Sequence, residues 1–343
     1  MISNRGRVGI VFFIIAISLI AIIFCINRNR NDCYRQGGYT EGFFYYDKLL
    51  GYKPKPNTKV SSILKFKGET IYCVTYSIDE YSRRITPVGG RSDRNKFILF
   101  FGCSFTFGEG VKSNETLPFF TGEYAIFHKP YNYGFCGYGP QEMLAKLQDG
   151  SLRNEIKEST GVLVYTFIDE HVRRAIGSMR CVSEWGANMP YYFIAADGQL
   201  VRNGSFSSGR PKAYSLYKKL SNNPVVKNLN LDLPLCVTKK DIELVCKILG
   251  EARVVFKKQY ENSDFYVVFY PKSRYAKLMI PLLEKAGVKC LDYNNIFYHS
   301  DVQAYYKKNC IISPYDCHPN GKAYEIIAKK LVEDIFSNIY QSN

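Results

Sequence analysis

The chain has 343 residues, 46% of them hydrophobic and 22% charged, which is ordinary for a globular protein and enough for one large domain or two modest ones with a substantial core. The formal net charge of +15 favours anionic partners, but the basic residues are scattered as pairs such as Lys218-Lys219 and Lys329-Lys330, with no cluster and no nucleic-acid motif, so nucleic acid is not an expected partner. The 11 cysteines are odd in number and include no CxxC pair, so they define neither a disulfide framework nor a zinc site, and no metal or cofactor is expected.

After a short tail (residues 1–7), residues 8–26 ("VGIVFFIIAISLIAIIFCI") carry no charge and are just long enough to span a bilayer core. The run ends "IIFCINRNR", without the small-x-small pattern of a cleaved signal, and is expected to be an uncleaved single-pass anchor that contacts membrane lipid. Arg5 and Arg7 on one side are matched by Arg28, Arg30 and Arg35 on the other, so charge does not code the orientation. Residues 27–94 read as a linker and a small β-rich segment. Pro54 and Pro56 make its first part extended or turn-like, and "GETIYCVTYSID" (68–79) is β-branched and aromatic like a strand.

From residue 95 the pattern becomes alternating strands and helices. Strands are expected at 96–101, 130–133, 161–167, 265–270 and 288–292, and helices at 140–149, 238–260 and 321–340. In the second of these helices Thr238 and Asp241 fit a capping box, and Ile242, Val245, Leu249, Ala252 and Phe256 fall on one face. Continuous apolar strands alternating with helices predict an α/β fold, a parallel sheet covered on both faces. Residues 178–235 interrupt the alternation and read as an insertion. Asp197-Gly198 lies there between two strand-like runs, which is a hairpin signal.

Ligands of an open parallel sheet bind outside the carboxyl ends of its strands. The segments that follow those ends here are "GCS" with Ser104, "NYGFCGYGP" with Asn132 and Gly137, "IDEHVRR" with Asp169, His171, Arg173 and Arg174, and "SPYDCHPN" with Asp316 and His318. A serine needs a base to become a nucleophile, and the base needs an orienting partner. Of the four histidines, His128 precedes a strand and His299 has nothing catalytic beside it, which leaves His171 and His318. The alternative reading of Ser104 is the N-cap of the following helix.

"FFGCSFTFGEG" resembles the first block of the SGNH (GDSL-type) hydrolases, "NYGFCGYG" their second and "YDCHPNGKAY" their fifth. The resemblance runs from about residue 96 to the C-terminus and implies a three-layer α/β/α sandwich with a five-stranded parallel, flavodoxin-like sheet. Carried over by position, it implies Ser104 as nucleophile, His318 as general base, Asp316 as the group orienting it, and the backbone N–H groups of Ser104 and Gly137 as oxyanion donors. Cys103 stands where the family usually has aspartate, and Asp316 is two rather than three residues before the histidine. The third-block asparagine is missing from "FIDEHVRR", so His171 is the candidate second oxyanion donor, with Asn132, Asp169, Arg173 and Arg174 as candidate substrate contacts. The expected activity is hydrolysis of acyl esters through an acyl-enzyme, with an ester or acetylated glycan as substrate. The alternatives are O-acyl transfer to a surface glycan at the same site and a catalytically weak glycan- or lipid-binding module. A membrane protein whose catalytic domain faces out of the cytoplasm fits all three.

Overall fold

Strand β6 (Lys96–Phe101) shows how the sequence builds the sheet. Side chains along a strand alternate between faces. Phe97, Leu99 and Phe101 enter one apolar core and Ile98 and Phe100 the other, so a run that is apolar throughout is buried on both sides. The same alternation holds for β8 (Gly161–Phe167) and β11 (Asp264–Phe269). With β7 (His128–Asn132) and β12 (Lys289–Asp292), these strands form one sheet in the order β12-β11-β8-β6-β7. Every pairing is parallel. The first strand thus lies between the second and the third, the expected flavodoxin-like order. The structure, a computed structural model, describes residues 36–89, 93–297 and 308–340.

Helices α3 (Pro140–Asp149), α10 (Lys239–Gln259) and α11 (Ala276–Lys285) cover one face. Helices α2 (Leu117–Tyr124) and α12 (Gly321–Tyr340) cover the other. Thr238 and Asp241 form the expected reciprocal cap of α10, and all five of its predicted core residues are buried. The insertion contains α6 (Met179–Glu184), the hairpin β9–β10 (Pro190–Ile194, Leu200–Ser205) and the helices α7 (Phe206–Gly209), α8 (Pro211–Ser221) and α9 (Pro224–Asn228). Gly198 sits in the left-handed region at φ +82°, which its Asp-Gly turn requires. A backbone bond from Met179 N–H to Leu233 O (2.7 Å) closes the base of the insertion.

The β-rich segment is a three-stranded antiparallel sheet of β1 (Gln36–Tyr39), β4 (Lys59–Phe66) and β5 (Glu69–Ser77), with a hairpin β2–β3 (Tyr45–Asp47, Gly51–Lys53) beside it. It packs on the main domain through a third core, in which Phe43, Val60 and Tyr76 meet Phe107, Phe135 and Phe206. Arg84 then bridges to Asn132 at the free edge of the main sheet. The predicted anchor at residues 8–26 lies outside the described residues. Among the described residues, no helix is long and apolar enough to cross a membrane.

One buried acid makes stability pH-dependent. Glu142, in the first turn of α3, accepts the Gly139 N–H at 2.6 Å, while its other oxygen is buried without a partner among the described residues. Burial pushes its carboxyl up to about 8. The unfolded chain therefore releases this proton near pH 4.5 and the folded chain only near 8. Across that window the unfolded state binds fewer protons, so stability falls as pH rises. Glu142→Gln is expected to leave the urea midpoint unchanged at pH 4.5 and to raise it by a few kcal/mol equivalent at pH 8. An equal effect at both pH values would contradict the assignment.

Candidate active site

Strand β6 ends at Phe101, and Gly102 (φ +149°) turns the chain into the four-residue helix α1 (Ser104–Phe107). A Cβ at Gly102 would lie 2.2 Å from Thr106 Oγ1 and 2.5 Å from Thr166 Oγ1, so only glycine permits this turn. Ser104 is the first residue of α1, not its cap; Cys103 occupies the cap position and makes no side-chain capping bond.

The second partner arrives from the far end of the chain. Strands β13 (Ile311–Ser313) and β14 (Asp316–Pro319) form a short hairpin before α12. Residues two apart on a strand point to the same face. That is how Asp316 and His318 meet, as neighbours on one face of an extended strand. His318 Nδ1 lies 2.6 Å from Asp316 Oδ1, which also accepts the His318 N–H at 2.7 Å. His318 Nε2 lies 2.8 Å from Ser104 Oγ. Asn320 fixes the exit, accepting the Ala323 N–H (3.0 Å) and donating to the Asn309 and Ile311 carbonyls. Ser104 is only 6% exposed.

Gly137 has φ +81°, and a Cβ there would lie 2.4 Å from Tyr52 Oη and 2.9 Å from Trp185 Nε1. The β-rich segment and the insertion therefore close on this glycine from two sides. Among the described residues, neither the Ser104 N–H nor the Gly137 N–H donates to a protein acceptor.

The remaining candidates lie elsewhere. His171 is fully buried against Tyr165 and Phe167, with Nδ1 2.7 Å from Tyr165 Oη. Burial and the nearby Arg174 hold it well below the usual histidine range. It packs in the core rather than standing as an oxyanion donor. Asn132 is a brace: its Nδ2 donates to the Thr106 and Phe107 carbonyls and its Oδ1 accepts the Gly134 N–H, which ties the second loop to α1. Asp169 is taken by Ser273 and Arg274 of the loop after β11. Arg173 is taken by Asp232 and by the Pro234 and Leu235 carbonyls at the end of the insertion. Arg174 is half-buried and donates to the Tyr138 carbonyl at 2.7 Å. These four polar side chains tie loops to one another.

Two residues that the motifs did not single out belong to this region. Glu109, 2% exposed, brings its Oε2 to 3.7 Å from His318 Nε2. Arg84 donates from Nη1 to the Phe107 and Gly108 carbonyls and from Nη2 to the Val111 carbonyl, closing the turn after α1. Glu109 was visible as an acid between two glycines within the first block; nothing near Arg84 in the chain pointed to it. A cavity of about 340 Å³ lies between the β2–β3 hairpin and α3, lined by Leu50, Lys53, Tyr133, Tyr138, Glu142 and Lys146 among others. Neither Ser104 nor His318 lines it, so the chemistry is assigned from the hydrogen bonds and not from the cavity.

No protein-family model and no curated protein matches the chain. Among solved structures it is similar to a member of the lipolytic protein G-D-S-L family from Veillonella parvula (12% identity, 71% of this chain and 98% of that chain, TM-score 0.39). It is also similar to an acetyl xylan esterase from the rumen bacterium Butyrivibrio proteoclasticus (12%, 71% and 64%, 0.37). A third is LAE5, an alpha/beta hydrolase from the metagenome of Lake Arreo (13%, 69% and 93%, 0.41). These likenesses concern the fold.

Proposed function

We propose that this chain is a serine esterase of the SGNH type. The observation that carries the reading is the continuous line Ser104 Oγ, His318 Nε2, His318 Nδ1, Asp316 Oδ1, with steps of 2.8 Å and 2.6 Å at its two hydrogen bonds. In this reading His318 takes the Ser104 proton as Oγ attacks an acyl carbonyl, and Asp316 holds the imidazole tautomer and offsets the imidazolium charge. The free N–H groups of Ser104 and Gly137 receive the oxyanion, each such donor being worth about 3 kcal/mol in the transition state. His318 returns the proton to the leaving alcohol. Water, activated by the same imidazole, then releases the acid from the acyl-enzyme. Asp316 and His318 on one face of a strand replace the wider, three-residue spacing usual in the family, and Gly137 supplies a donor that does not depend on the missing asparagine.

The substrate class in this reading is an ester with a small acyl group, because Ser104 is nearly buried and the Phe105 ring lies 5.2 Å from that of His318. Membrane attachment through residues 8–26 is part of the proposal and predicts recovery in the membrane fraction. The test is release of p-nitrophenol from p-nitrophenyl acetate by the purified full-length chain in detergent, with and without a sugar acceptor. Turnover in water alone, unchanged by the acceptor, is the expected result. Turnover only with the acceptor would replace hydrolysis by acyl transfer, and none under either condition would overturn the reading.

A further inference from the structure

The segment "FGEGV" places a carboxylate where the triad makes no use of one. Gly108 (φ +81°) and Gly110 (φ +83°) both sit in the left-handed region, on either side of Glu109. A Cβ on Gly108 would lie 2.6 Å from Thr116 Cγ2, and one on Gly110 would lie 2.3 Å from Ile312 Cδ1. The turn can therefore take one course, and it delivers Glu109 inward. Its Oε1 accepts the hydroxyls of Tyr39 (2.9 Å), Ser62 (3.1 Å) and Tyr72 (3.1 Å), one from each strand of the β1-β4-β5 sheet. Its Oε2 accepts the Cys136 thiol (3.1 Å) and faces His318 Nε2 at 3.7 Å. The Gly110 N–H donates to Tyr76 Oη at 2.8 Å and anchors the same turn.

We infer that Glu109 is a positioning residue that acts through His318: a second carboxylate on the Nε2 side of the imidazole, held there by the hydroxyls of the β-rich segment. The inference rests on the serine-esterase reading for its catalytic meaning. Asp316 occupies Nδ1, and Ser104 shares Nε2. When Nε2 takes the Ser104 proton, the ring becomes a cation with a carboxylate near each nitrogen. Several O–H and S–H donors converging on Glu109 favour its ionised form, because an ionised carboxylate only accepts. An opposite charge within about 4–6 Å typically moves a pKa by one to three units in favour of the charged form. Glu109 therefore raises the basicity of His318 above the level that Asp316 alone sets. The other ionisable groups around the pair include the hydroxyls of Tyr39, Tyr72 and Tyr76, the Cys136 thiol, the Arg84 guanidinium, which donates to the Gly108 carbonyl beside Glu109, and Glu170, whose charge reaches the adjacent Cys317. In this arrangement the β-rich segment forms a wall of the active site, and its three hydroxyls set the strength of the base.

The test is an NMR titration of the histidine rings in the full-length chain in detergent, with His318 assigned through His318→Asn. Glu109→Gln keeps the shape and the Oε1 acceptor while removing the charge. It is expected to lower the His318 midpoint by about one unit or more. Tyr72→Phe removes one of the donors that favour ionised Glu109 and is expected to lower it less, in the same direction. If Glu109→Gln does not fold, Tyr72→Phe decides alone. An unchanged midpoint in a folded variant would overturn the inference and leave Glu109 as a brace between sheets. The acid limb of kcat/KM for p-nitrophenyl acetate is expected to move down in pH with the midpoint. If the wild type does not turn the ester over, the esterase reading fails while the titration still decides the role of Glu109.

Discussion

Ser104→Ala is expected to lower kcat for p-nitrophenyl acetate by about 10⁶-fold, the size of loss seen when the nucleophile of a serine hydrolase is removed. Ser104 Oγ is bonded to His318 Nε2 at 2.8 Å, and the tight turn at Gly102 fixes the backbone that carries it. His318→Ala should cost about as much, and the double variant no more than either alone, because nucleophile and base act as one unit. The oxyanion donors are backbone groups that survive both substitutions, so a residual rate of about 10³–10⁴ over water is expected in each. Steady-state kinetics on the three variants check this. A double variant whose loss is the product of the two single losses would mean that the residues do not work together.

Arg84→Met is expected to destabilise the fold by about 3–5 kcal/mol, the range reached when a buried charged hydrogen-bond network is broken. Arg84 is 2% exposed, and burial lowers its guanidinium pKa to about 10, so it remains a cation at neutral pH. Its charge is met by the carbonyls of Phe107, Gly108 and Val111 and by the faces of Tyr76 (4.4 Å) and Phe107 (5.3 Å). Methionine keeps the bulk but takes the charged donor from three carbonyls at the turn after α1, of which that of Phe107 keeps Asn132 Nδ2 and that of Gly108 keeps the Val111 N–H. A hydrogen bond to a charged group is worth about 1.5–3 kcal/mol, partly offset here by no longer burying the charge. The same turn carries Glu109 and follows Ser104, so esterase activity should fall along with stability. Urea unfolding, read as a lower midpoint at constant slope, measures the first effect. A loss below about 1 kcal/mol would show that the carbonyls find other donors.

The sheet was legible because its three central strands are almost wholly apolar, and "KFILFF" and "GVLVYTF" divide cleanly between two cores by alternation. Ser104, Asp316 and His318 could be read because each stands in a block whose neighbours set local geometry: glycine before the serine, proline and a helix after the histidine. The segment "FIDEHVRR" misled because its polar residues are claimed by partners far along the chain. Asp169 pairs with Arg274 and Arg173 with Asp232, separations that no local spacing reveals. His171 follows the helical turn of α5 (Glu170–Ala175) into the core, where Tyr165 meets it. The β-rich segment was legible as β structure but not as part of the site. Tyr39, Ser62 and Tyr72 are spread over β1, β4 and β5, and only the pairing of those strands brings their hydroxyls to one carboxylate.

The assignment of Ser104 as the nucleophile is tested most directly by covalent labelling with a fluorophosphonate at neutral pH, followed by peptide mass mapping of the full-length chain. The triad predicts a single adduct on Ser104, formed rapidly in the wild type, slowed by several orders of magnitude in His318→Ala and absent in Ser104→Ala. An adduct on another residue, or equal labelling of the wild type and His318→Ala, would contradict it.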